Sequence, residues 1–168
     1  MAGLPGSGKS TMARALAARL PAIIISKDEI RTRLFSQDQI DYSRAQDNVC
    51  FQEMLRLTEA ILTESPDKWV ILDGRTFSRS EDMLQVWNLA QRLRQRLFVI
   101  ECTCSDEEAR RRLEYDQKQG RHPAGNRDYR LYLELKSRRE PLPIPALRLD
   151  TSSEPAVCLD RCLTYLGL

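Results

Sequence analysis

Near the start of the sequence, Gly3-Leu4-Pro5-Gly6-Ser7-Gly8-Lys9-Ser10 carries the pattern G-x-x-x-x-G-K-[ST], and those residue types at that spacing define one chemistry, the binding of phosphate groups. Glycines let main-chain N–H groups converge on an anion, and a helix beginning directly afterwards adds the partial positive charge of its N-terminus. In this pattern Lys9 reaches the β- and γ-phosphates of ATP and the Ser10 hydroxyl ligates Mg²⁺. The expected nucleotide contacts are therefore Gly3, Pro5, Gly6, Ser7, Gly8, Lys9, Ser10 and Thr11.

Two carboxylates stand where apolar, strand-like runs end. Ser26-Lys27-Asp28-Glu29-Ile30-Arg31 follows the run Ala22–Ser26, and in a parallel sheet the C-terminal strand ends face the ligand crevice. There Asp28 can orient a substrate hydroxyl and accept its proton, or it can cap the helix that follows. Arg31, three residues along that helix, can hold an anionic substrate group. The run Trp69–Asp73 leads into Gly74-Arg75-Thr76-Phe77-Ser78-Arg79. Asp73 is placed to hold Mg²⁺, directly or through water, or to accept N–H bonds from its own turn. Arg75 and Arg79 flank the same crevice as expected substrate contacts.

These groups need a frame. The chain has 168 residues, 42% apolar and 30% charged, enough for one domain whose core needs no disulfide or metal. Candidate strands are Ala22–Ser26, Trp69–Asp73, Leu97–Thr103 and Ala146–Asp150, mostly continuous apolar runs of the kind covered on both faces. Between them, Ala13, Leu16, Ala17 and Leu20 make one helical stripe and Met83, Leu84, Trp87 and Ala90 another; a last helix starts near Ser153 with Pro155 in its first turn. Alternating strands and helices predict an α/β fold, a doubly wound, mostly parallel sheet with helices on both faces. Only Met1 and Ala2 precede Gly3, so most of the strand that leads into such a loop is missing from the sequence, and a central gap in the sheet is expected unless a residual or borrowed strand fills it.

Charge and cysteines exclude more than they assign. Net charge is +2, too small for a protein that coats nucleic acid, yet 21 of the 26 basic residues are Arg. Arg110–Arg148 holds 11 basic and 5 acidic residues, a segment that an anion is expected to visit. Cys50, Cys102, Cys104, Cys158 and Cys162 cannot all pair and lack zinc-site spacing, so they read as buried thiols. No apolar run is long enough to span a bilayer, and the expectation is a soluble, cytoplasmic protein with no membrane partner. His122, in Gly120-Arg121-His122-Pro123, reads as a turn residue, and Tyr42, Arg44 and Gln46, after the Asp28 helix, read as helix-surface positions or as residues that select the acceptor.

Gly3–Thr11, Ser26–Arg31, Asp73–Arg79 and Glu107–Pro123 together resemble the small P-loop kinases labelled AAA-family ATPases, similar to the kinase domains of phage polynucleotide kinase, zeta toxins and adenylylsulfate kinases. The resemblance covers nearly the whole chain, as a single P-loop NTPase domain over 1–168 with a helical lid at about 105–130. It implies that Asp28 is the hydroxyl-activating base, Arg31 a substrate clamp, and Leu149–Ser152, Thr151 included, a loop beside the adenine. Asp116 stands where such kinases place a lid arginine, so the transition-state cation comes from Arg112, Arg121 or Arg127, or is absent. Ser26-Lys27-Asp28 differs from the paired acidic motif of adenylylsulfate kinases, and no guanine-specifying Asn-Lys-x-Asp is present. The expected activity is Mg²⁺- and ATP-dependent phosphotransfer to a hydroxyl of a small-molecule or nucleotide-like acceptor. The alternatives are a nucleotide-binding regulatory or toxin-like module with little turnover, and a polynucleotide 5′-hydroxyl kinase, which near-neutral charge and the lack of an aromatic stacking track disfavour.

Overall fold

A computed structural model describes residues 1–119 and 128–168. In chain order the elements are α1 (Lys9–Ala17), β1 (Ala22–Ser26), α2 (Lys27–Leu34), α3 (Arg44–Glu64), β2 (Trp69–Asp73), α4 (Ser80–Arg92), β3 (Ile100–Thr103), α5 (Asp106–Lys118), α6 (Tyr129–Ser137), β4 (Leu147–Asp150) and α7 (Pro155–Leu166). The strands pair in parallel as β1-β2 and β3-β4, with Ser26 beside Asp73 and Thr103 beside Asp150. Ala2 stands between the two pairs as an isolated parallel bridge to Glu101, and the Met1 amino group donates to Leu72 O at 3.0 Å.

Local chemistry explains where the helices begin. Ser26, Ser43, Ser105 and Asp128 each accept a main-chain N–H from the first turn of α2, α3, α5 and α6, and Pro155 opens α7. One core lies between the strands and α3–α4 around Ile25, Phe51, Met54, Leu72, Met83 and Val86. A second lies between the strands and α1–α7 around Met12, Leu16, Cys102, Leu149, Cys158 and Cys162. Leu4, Ala109, Leu113 and Tyr132 form a third, which ties α5 and α6 to the phosphate loop. All five cysteines are free; burial pushes the Cys102 and Cys162 thiols up to about 11. Among the described residues no helix is long and apolar enough to cross a membrane.

Two sequence expectations shift. The third strand begins at Ile100 rather than Leu97, and the fourth at Leu147 rather than Ala146. In α4 the buried stripe is Met83, Val86, Leu89 and Ala90, while Leu84 and Trp87 are 43% and 38% exposed. Asp82, in the first turn of α4, shares the buried side with this stripe and pairs with Arg75.

Candidate functional site

The phosphate loop is shaped by its glycines. At Gly3, with φ 135°, a Cβ would lie 2.3 Å from the Cys102 carbonyl oxygen, and at Gly8, with φ 81°, it would press on Thr151 at 3.2 Å. The N–H of Ser7 donates to the Leu4 carbonyl at 3.2 Å, and the Gly3 N–H to the Thr76 carbonyl at 3.2 Å. Gly8 is the N-cap of α1, so no side chain satisfies the first N–H groups of this helix, in contrast to the capped α2, α3, α5 and α6. Buried Lys9 points its Nζ into the loop and donates to the Leu4 carbonyl at 2.7 Å.

Gly6, Gly8, Lys9, Ser10 and Thr11 line a crevice of about 900 Å³ together with Ser26, Asp28, Asp73, Arg112, Asp116 and Thr151. It opens at the C-terminal ends of β1 and β2, where parallel-sheet topology places ligands. Asp73 is buried, and among the described residues its Oδ1 has no hydrogen-bond partner. A carboxylate oxygen orphaned in this way, on the same crevice as the Ser10 hydroxyl, fits a hard cation that takes oxygen ligands.

Asp28 sits in the first turn of α2, but the cap of that helix is Ser26, whose Oγ accepts the Glu29 N–H at 3.4 Å. Arg31, 2% exposed, donates to Asp28 Oδ1 at 3.2 Å and to Asp47 Oδ1, with the Tyr42 ring 4.9 Å from its guanidinium. Lys27 reaches the same Asp47 oxygen at 2.9 Å. Asp47 is a residue that sequence reasoning passed over. Its carboxylate joins Lys27 and Arg31 of α2, while its main-chain carbonyl accepts from Arg75 Nη1 at 3.1 Å. The first turn of α3 thereby holds the chain ends of both β1 and β2. No spacing signal marks it, because its partners lie 16, 20 and 28 positions away.

The other expected site residues divide. Arg75 turns away from the crevice: its guanidinium makes two bonds to Asp82, at 2.8 and 3.2 Å, and lies 4.1 Å over the Phe51 ring. Arg79 precedes α4 as its N-cap residue and stands outside the crevice lining. Arg112 does reach the site, but as a clamp on main chain, donating to Gly6 O at 3.3 Å, Thr151 O at 2.8 Å and Thr151 Oγ1 at 2.9 Å. The Thr151 hydroxyl also lies 3.0 Å from Ser7 O and 3.1 Å from Thr103 O. Glu108 steadies Arg112 at 2.7 Å; the guanidinium groups of Arg111 and Arg112 hold its carboxyl down to about 2. Arg110 pairs with Glu114, Lys136 with Asp106 and Arg139 with Glu101, so much of the basic excess between 110 and 148 already has acidic partners. Arg121, His122 and Arg127, and with them the middle of the expected lid, lie outside the described residues.

A glycine loop running into a helix with no side-chain cap, facing an acidic strand end within parallel α/β layers, is the arrangement of the P-loop NTPase fold. The chain belongs to the AAA domain family, whose model matches residues 1–141. Among solved structures it is similar to a candidate kinase of Chloroflexus aurantiacus, with 24% identity over 96% of this chain and 93% of that one and a TM-score of 0.73. It is also similar to the APS kinase of Mycobacterium tuberculosis (18% identity, 99% and 95% coverage, TM-score 0.68). A third likeness is to Kti12 of Chaetomium thermophilum, solved with ADP-AlF3 (22% identity, 98% and 96% coverage, TM-score 0.67). No curated protein matches the sequence.

Proposed function

We propose that the protein is an ATP- and Mg²⁺-dependent phosphotransferase acting on a hydroxyl of a small-molecule or nucleotide-like acceptor. The observation that carries this reading is one crevice shared by the phosphate loop, Asp28 and the orphaned Asp73 carboxylate. The N-terminal N–H groups of α1, which no side chain caps, and the Lys9 ammonium, released from Leu4, bind the phosphates. Ser10 and Asp73 would hold the Mg²⁺, which when bound neutralises charge on the β- and γ-phosphates. Asp28, freed from capping by Ser26 and oriented by Arg31, accepts the proton of the acceptor hydroxyl. Arg112 acts by positioning, because it fixes the distance between the phosphate loop and the Thr151 loop. Helices α5 and α6 are the fixed parts of a lid over the nucleotide, in which Arg121 and Arg127 are the remaining sources of a transition-state cation.

The test is ATP consumption across nucleosides, sugars, amino alcohols and 5′-hydroxyl oligonucleotides, with ADP release as the readout. Acceptor-dependent ADP release supports the phosphotransferase. Tight ATP binding with no acceptor dependence would instead support a nucleotide-binding module, a reading favoured by the commitment of Arg112 to main-chain carbonyls.

A further inference from the structure

For a site that must hold a triphosphate, the crevice is rich in negative charge. Among the described residues four carboxylates line it, Asp28, Glu29, Asp73 and Asp116. The cations on the same lining have other duties: Lys9 serves the phosphates, Arg112 is held by Glu108 and the Gly6 and Thr151 carbonyls, and Arg14 is exposed a helical turn beyond Ser10. The basic groups nearest the acidic end are committed as well. Arg31 donates to Asp28 and Asp47, Lys27 to Asp47, and Arg75 to Asp82. An anionic acceptor would find each of these already paired.

Glu29 and Asp116 differ from these groups. Among the described residues neither carboxylate has a hydrogen bond or an ion pair. Glu29 follows Asp28 in the first turn of α2, and Asp116 comes one turn after Arg112 on α5, the helix packed against the phosphate loop through Ala109 and Leu113. The orphaned Oδ1 of buried Asp73, on the same crevice, is a separate mark that positive charge is called for there. A carboxylate that shares a cleft with phosphates is repelled unless a cation stands between them. A second metal ion does not fit, because among the described residues no three acidic, Cys or His side chains converge as ligands. An ammonium needs no such convergence, since its N–H donors can be taken up one carboxylate at a time.

We propose, resting on the phosphotransferase reading, that the acceptor is a cationic alcohol, a small molecule that carries a protonated amine beside the hydroxyl it presents to Asp28. Glu29 and Asp116 select the amine by charge-assisted hydrogen bonds, and the same two carboxylates turn away phosphorylated and carboxylated acceptors. The amine in turn offsets the repulsion between Asp116 and the phosphates. Neither residue takes part in the bond making. Asp28 accepts the hydroxyl proton, the hydroxyl oxygen bonds to the γ-phosphorus, the bond from that phosphorus to the β–γ bridging oxygen breaks, and ADP leaves.

Calorimetry on the protein loaded with Mg²⁺ and a non-hydrolysable ATP analogue tests the selection without turnover. The probes are amino alcohols, amino sugars and aminocyclitols, each set beside its neutral deamino counterpart and its carboxylate counterpart. Within a set the amine is expected to bind roughly tenfold tighter than the neutral compound, and the carboxylate most weakly. Asp116→Asn and Glu29→Gln should each remove part of that preference by weakening the amine alone, and Asp116→Arg should shift it toward the carboxylate. Equal binding across the charge series would overturn the proposal, as would a preference that survives the double variant Asp116→Asn/Glu29→Gln. ADP release separates this from the reading beneath it. Release driven as well by neutral or anionic acceptors as by amines would overturn the cationic acceptor and keep the phosphotransferase, whereas amines that bind selectively and release no ADP would overturn the phosphotransferase and keep the cation site.

Discussion

The two ends of the Met1–Ala2 segment are opposites: at one lies the phosphate loop, at the other a slot of about 490 Å³ lined by residues of β2 and of the approach to β3, Val70, Leu72, Phe98 and Ile100 among them. On the phosphate-loop side, polar groups are held by a dense set of bonds, donated by Arg112 and Thr151 and accepted by the Thr76 carbonyl, and the backbone takes three positive φ angles within six residues. On the other side, apolar walls face each other across an open slot. A loop of this kind draws its shape from glycine stereochemistry and a few bonds to fixed carbonyls. A sheet centre draws its stability from the strands packed on each edge.

Substitutions at the two ends should therefore read out differently. Lys9→Ala is expected to bring acceptor-dependent ADP release down to background while the melting temperature stays within a few degrees, since the ammonium serves the loop and its ligand. Wild-type turnover in that variant would break the reading of the polar end. Asp28→Asn should leave the KM for ATP within a few-fold and lower kcat by roughly 10² to 10⁴, the range of a positioned general base. Steady-state kinetics decide this, and an unchanged kcat would reduce Asp28 to a partner for Arg31.

Denaturant melts sharpen the packing side of the contrast. Met54→Ala, in the closed core beside α3, should cost about 2–5 kcal/mol, whereas Val70→Ala, on the slot wall, should cost less than about 1 kcal/mol because its neighbours already stand apart. Equal losses would mean the slot is packed in solution. Asp47→Asn should cost about 1–3 kcal/mol and lower kcat together with it, because buried Arg31 loses one of its two carboxylates.

The smallest effect concerns pH. Glu108 is held at about 2, below its unfolded value of 4.5, so its contribution is complete above pH 4.5 and fades as pH falls toward 2. The melting difference between the wild type and Glu108→Gln should stay constant from pH 8 to 5 and shrink below 4.5. A difference that changed between pH 8 and 5 would point to another titrating group.

What the sequence determined by itself is what acts over short range. The glycines of the phosphate loop, the apolar runs of β1 and β2 and the proline that opens α7 each depend on neighbours within a few residues, and their places could be read directly. Tertiary structure decided the rest. Arg75 looked like a crevice residue until Asp82 claimed it, Arg112 became a clamp only when Thr151, 39 positions away, came beside it, and Asp47 gained its role from three elements at once. Charge-assisted bonds between distant segments are directional and short, so whether they form depends on where whole helices and strands come to rest. The slot is the same lesson in apolar terms: its walls are legible as strands, but their separation is a property of the assembled layers.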